Sequence, residues 1–162
     1  MHLWRLPAIR ERERADLMDM QHYVASLYRR YGTDDPFELS SALNITILFV
    51  ELPQGIDGFF LSISEEPFIF LNENLEGKQR KIICAHELGH ALLHPRLNSH
   101  FLKEKTYFLQ ERYEREADEF CACLLLRDLP EELKLRDCVT IGEIADITGL
   151  PEELIRKKFH SS

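Results

Sequence analysis

Two histidines four residues apart, the first followed by a glutamate, are the residues of this chain best suited to chemistry: His86-Glu87-Leu88-Gly89-His90. On a helix, positions i and i+4 share one face a turn apart, so both imidazoles can grip a single Zn²⁺. Glu87, one step round, can act as general base toward the water such a metal activates. A catalytic zinc takes three protein ligands and keeps a fourth position open. In one zincin class a downstream histidine completes the set, in H-E-x-x-H-x-x-G-x-x-H. That solution fails here, because Leu93 stands at its glycine position and Arg96 at its last histidine. The other common solution is a glutamate on a following helix, and Glu114-Arg115-Glu116-Ala117-Asp118 offers two. Helical geometry alone leaves Glu114 and Glu116 both open. Asp118 lies at i+4 from Glu114, where it could accept the free N–H of a ligating histidine and fix its tautomer, which favours Glu114. His94, a turn past His90, reads as a helix-end residue at the cleft edge, since a fourth protein ligand would close the position catalysis needs.

The elements that must hold these residues can be read from hydrophobic spacing. A helical stripe runs from Arg10 to Tyr31 through Leu17, Met20, Val24 and Leu27, with Gly32 as its stop. Asp35-Pro36 offers an N-cap and a proline at the first helical position, for a short helix ending at Asn44. Ile45–Glu51, Gly58–Ser64 and Pro67–Asn72 are rich in Ile, Phe and Val and are divided by turn-like segments, so three strands in a meander are expected. A helix from Gly77 to His94 carries the histidines at its centre, and Pro95 follows. A second long helix, Phe108 to Leu126, carries the glutamates. The tail holds two short helices, one opened by the capping box Thr140-Ile141-Gly142-Glu143 and one by Pro151.

Composition narrows the function classes. The chain has 162 residues, 44% of them hydrophobic, a net charge of −8 and a pI near 5.4. That length suits one domain with a small C-terminal appendage. No global basic field draws it to nucleic acid. The N-terminus lacks the apolar run of a secretory signal, and no stretch has the length of a membrane span. The four cysteines show no secreted-domain spacing, and Cys84, Cys121 and Cys123 read as small buried thiols. A cytoplasmic location is expected.

Asn72-Glu73-Asn74-Leu75, then Ala85-His86-Glu87-Leu88-Gly89-His90-Ala91-Leu92-Leu93-His94, then Glu114-x-Glu116-Ala117-Asp118-x-Phe120 with Leu124-Leu125-Leu126 resemble the ImmA/IrrE family of metallopeptidases, over roughly residues 40 to 127. The resemblance implies an α+β fold of the minimal zincin, gluzincin-like kind. It would have N-terminal helices, a small three-stranded sheet, an active-site helix, a glutamate helix and short C-terminal helices. It implies that His86, His90 and Glu114 bind Zn²⁺ and that Glu87 is the base. Members of this family are cytosolic proteins of phages and integrative elements that relieve repression by cleaving a helix-turn-helix repressor, and others act in stress regulation. The chain departs from the usual pattern at Cys121, where alanine is common, at Asp118, where asparagine is frequent, and at Leu126–Pro130, where the proline comes late.

The expected organisation is a metallopeptidase domain over residues 1–127 and a helical segment over 128–162 packed on it. Thr140 to Phe159 has the outline of a helix-turn-helix. Its second helix starts with Pro151-Glu152-Glu153 and places Arg156, Lys157 and Lys158 late, which argues against direct DNA binding. The expected function is a zinc endopeptidase of narrow specificity acting on a helix-turn-helix repressor. A regulator that holds its partner without cutting it is the alternative. Pro67–Asn72 is the strand expected to pair with substrate, and Tyr107, Tyr113 and His94 are the candidates for stabilising an oxyanion.

Overall fold

The computed structural model describes residues 20–96 and 107–159. Helix α1, Met20–Tyr31, buries Tyr23, Val24 and Leu27 on one face. Gly32 stops it, with a φ of 74° and its N–H donated to the Tyr28 carbonyl at 2.7 Å. The expected start of this helix, Arg10 to Asp19, lies outside the described residues. Asp35 caps α2, Pro36–Ala42, its carboxylate accepting from the N–H groups of Phe37 at 2.9 Å and Glu38 at 3.3 Å. Asn44, at φ 56°, then turns the chain into the sheet.

The strands are β1 (Thr46–Val50), β2 (Gly58–Ile63) and β3 (Glu66–Asn72), and the sheet order is β1-β3-β2. β2 and β3 form an antiparallel hairpin turned at Ser64 and Glu65, which have φ of 52° and 68°. Two left-handed residues make a turn whose twist matches that of the flanking strands. β1 runs parallel to β3, from Thr46 beside Phe68 to Val50 beside Asn72. The sheet is therefore not the expected meander. β3 buries Pro67, Ile69 and Leu71 in strict alternation, whereas β1 exposes Leu48 and Phe49. The strand with the strongest buried face takes the centre, and residues 51–57 carry the chain past it to the far edge.

Behind the sheet lies α3, Gly77–Leu93, which buries Cys84, Ala85, Leu88, Gly89, Ala91 and Leu92 and so is enclosed on most of its surface. α4, Tyr107–Leu125, packs along it. The two helices meet at Gly89. A Cβ there would lie 3.1 Å from the Phe120 ring and 3.2 Å from the Ala117 backbone. Glycine thus sets how closely the histidine and glutamate helices approach. Past α4 come a single turn, α5 (Glu131–Lys134), then α6 (Ile141–Thr148) and α7 (Glu152–Phe159). The turn at α5 has no counterpart in the sequence reading. The capping box of α6 is formed: Glu143 N–H donates to Thr140 Oγ1 at 3.2 Å, and Thr140 N–H donates to Glu143 Oε2 at 2.8 Å.

The result is the expected α+β architecture, a small three-stranded sheet with helices of the minimal zincin-like kind. One apolar cluster joins α1, α3, α4 and the sheet through Leu27, Ile69, Leu88 and Phe120. A second gathers Leu126, Leu133, Ile144 and Ile155 around the C-terminal helices. No helix among the described residues is long and apolar enough to cross a membrane.

Candidate metal centre

His86 and His90 leave α3 on one face, as their spacing requires, and their Nε2 atoms stand 3.1 Å apart. α4 runs across that face. Its Glu114 reaches both rings, with Oε2 3.2 Å from His86 Nε2 and Oε1 3.4 Å from His90 Nε2. One donor atom from each of the three residues lies within 4.8 Å of the others. Asp118, one turn further along α4, places Oδ1 3.0 Å from His86 Nδ1. A proton on Nδ1, donated to that carboxylate, leaves the Nε2 lone pair facing His90 and Glu114.

This donor set fits a divalent cation. Two ligands of a tetrahedral zinc, with bonds of ~2.0–2.1 Å, sit about 3.4 Å apart, close to the spacings found here. The electrostatics agree. Burial works against a proton on His86, yet hydrogen bonds to Asp118 and Glu114 outweigh it and push its pKa up to about 10. The same contacts to His86 and His90 hold the Glu114 carboxyl well below the usual carboxylate range. Burial opposes ionisation of Asp118, but His86 and Lys157 outweigh it and keep its pKa low. The cluster draws positive charge to itself, and a metal ion answers the same demand.

Glu87 points from α3 into the same cleft. It is 8% exposed, and burial pushes its pKa up against the opposing pull of His90 and His86. The Phe60 backbone of β2 hydrogen-bonds to it. The cleft, about 520 Å³, is walled by the loop Gly55–Gly58, by Ile82 and Ile83 of α3, by Cys121 of α4 and by Leu154 of α7.

Other residues fall elsewhere. Glu116 turns away from the cluster, with Oε1 accepting from Arg112 Nε at 2.7 Å and Oε2 lying 3.3 Å from His94 Nε2. His94 is not at the cleft edge as expected. It is 1% exposed, capped by the Tyr113 ring at 4.5 Å and by Glu116, because α4 closes over the end of α3. Neither His94 nor Tyr113 lines the cleft, and the Tyr107 side chain lies outside the described residues. β3 has neighbours on both edges, so it cannot pair with substrate as expected; among the described residues the outer edge beside Glu87 belongs to β2. Cys84, Cys121 and Cys123 are buried, and burial raises the thiol pKa of Cys84 to about 12. The sequence reading missed the contribution of α7. Leu154 borders the cleft, and Lys157 Nζ lies 3.5 Å from Asp118 Oδ2. The only sequence signal was an apolar residue beside a basic run, which any amphipathic helix shows.

The family model of the IrrE N-terminal-like domain, a peptidase family, matches residues 41–160. The chain is 39% identical over 135 residues to a Bacillus phage phi105 protein named uncharacterized immunity region protein 2, covering 83% of this chain and 85% of that one. It is 32% identical over 111 residues to the metallopeptidase ImmA of Bacillus subtilis strain 168, covering 67% of this chain and 64% of ImmA. With a match over most of its length, and with two imidazoles and a carboxylate gathered where a metal would sit, the chain belongs to the ImmA/IrrE family of IrrE N-terminal-like metallopeptidases.

Proposed function

We propose that this chain is a zinc-dependent endopeptidase of narrow specificity, and that its substrate is a helix-turn-helix repressor of a phage or mobile element. The observation that carries the catalytic part is a buried carboxylate, Glu87, beside a His86–His90–Glu114 cluster and open to the same cleft. A closed structural metal site has no use for such a group. The substrate part rests on the family and on the phi105 relative, whose name places it in a phage immunity region.

In this reading His86, His90 and Glu114 hold the metal, and Asp118 fixes the His86 ring through Nδ1. When bound, Zn²⁺ would polarise the scissile carbonyl and lower the pKa of a water toward ~7. Glu87 takes the proton of the attacking water on a carboxylate oxygen and returns it to the leaving amine. Burial, which raises its pKa, makes it a stronger proton acceptor than an exposed carboxylate. The outer edge of β2 offers main-chain groups to an extended substrate, which would lie as an added strand along the cleft.

Glu87→Gln is the decisive variant. Co-incubated with the repressor encoded nearest to its gene, the wild-type protein should yield two fragments whose masses locate the cut. The variant should bind near-stoichiometric zinc and produce no fragments. Full cleavage by Glu87→Gln would overturn the mechanism. Relief of repression in cells by the same variant would instead establish the non-cleaving regulator.

A further inference from the structure

The C-terminal helix pair has the outline of a helix-turn-helix, and its second helix is built into the wall of the cleft. α7 packs on α4. Its Ile155 is fully buried, Lys157 meets Asp118 at 3.5 Å, and Lys158 Nζ donates to the Leu126 carbonyl at the end of α4. These contacts fix the rotation of α7 and leave Leu154 facing the cavity that contains His86, Glu87 and Glu114. Ile82 and Ile83 of α3 and Ile56 and Asp57 of the loop before β2 line the same cavity. Gly58 lets that loop come close, for a Cβ there would fall 2.8 Å from Ile83 Cγ2 and 2.9 Å from the Phe70 carbonyl oxygen.

The lining of the cavity thus combines the imidazoles and carboxylates of the cluster with aliphatic side chains drawn from three separate parts of the chain. We infer that Leu154 is a specificity-determining residue: with Ile82 and Ile83 it forms a subsite for a bulky apolar side chain of the substrate, next to the bond that is cut. This rests on the metallopeptidase reading above and adds which residue sets the substrate preference and which element supplies it. An aliphatic wall rewards each buried methylene and leaves a polar side chain desolvated without partners, so it discriminates by size and polarity. α7 is then part of the enzyme's selectivity, contributed by the segment with the helix-turn-helix outline.

Amino-acid hydroxamates test this without needing a natural substrate, because the hydroxamate grips the metal while the side chain samples the wall. Glycine, alanine, leucine and phenylalanine hydroxamates would be titrated calorimetrically into the zinc-loaded full chain. Leucine hydroxamate should bind at least about tenfold tighter than glycine hydroxamate. Leu154→Ala should cut that ratio to under about threefold, and Leu154→Phe, which fills the subsite, should shift the preference to alanine hydroxamate. Glycine hydroxamate should bind all three proteins equally, reporting the metal alone. Thermal melting checks that the variants fold, and Leu154→Phe keeps the test open if the alanine variant does not. An unchanged leucine-to-glycine ratio in a folded variant overturns the role of Leu154 and leaves the metal centre standing. If glycine hydroxamate fails to bind the wild-type protein, the metal reading itself falls and the subsite falls with it.

Discussion

The choice between Glu114 and Glu116 turns on two residues of one helix and carries a sharp prediction. Glu114 spans the Nε2 atoms of both histidines, whereas Glu116 is occupied by Arg112 and His94 at the buried end of α3. Glu114→Ala should therefore lose zinc, and Glu116→Ala should retain it while melting earlier, because His94 is left buried beside an empty space. Metal content by atomic absorption after gel filtration reads the first effect, and calorimetry the second. The reverse metal result would move the third ligand by two residues. The sequence already favoured Glu114, through the i+4 position of Asp118, and that spacing is what places Asp118 Oδ1 on His86 Nδ1. His94 was harder to read. Pro95 marked the end of its helix correctly, but nothing local tells that Tyr113 and Glu116 will cover it.

At the scale of elements, the His86–His90–Glu114 cluster forms only because α3 and α4 lie close enough for a carboxylate on one to reach imidazoles on the other. Gly89 sets that approach. A Cβ at 3.1 Å from Phe120 and 3.2 Å from the Ala117 Cα meets backbone as well as ring, and backbone gives way only if α4 moves. Gly89→Val should destabilise the fold by ~1–3 kcal/mol through overpacking. It should also weaken zinc binding more than stability, because Glu114 moves with its helix. Parallel melting curves and competition titrations against a zinc chelator dye measure both; an unchanged affinity would show that α4 does not position the ligand. The helices were legible in the sequence, since 3.6-residue spacing outlines them and Gly32, Asp35-Pro36 and Thr140–Glu143 mark ends of α1, α2 and α6. Strand order was not. Alternation says which face of a strand is buried but not which strand lies beside it, so β1 beside β3 in parallel escaped the reading. Leu154 escaped for a related reason: an apolar position on α7 looks the same whether it faces a core or a cleft.

For the molecule as a whole, α4 is the shared member. Its Phe120 and Leu124 belong to the cluster with the sheet, while Leu126, just past its end, belongs to the cluster with α6 and α7. A metal bridging α3 to α4 would therefore stabilise both clusters together. Ligand binding to the folded state alone contributes RT ln(1 + [L]/Kd), or ~4 kcal/mol at free zinc a thousandfold above Kd. For a protein of this size each kcal/mol is worth roughly 2–4 °C in Tm, so removal of the metal should lower the melting point by roughly 8–16 °C. The shape of the transition is the more telling readout. Because the C-terminal helices rest on the same α4 that carries Glu114, the chelated protein should still unfold in one step, followed by circular dichroism and by tyrosine fluorescence alike. Two separated transitions in EDTA, with the later one unmoved by zinc, would mean that residues 128–162 fold independently of the metal centre. In that case α7 would be an attached module, and its Leu154 would have no fixed place in the wall of the cleft.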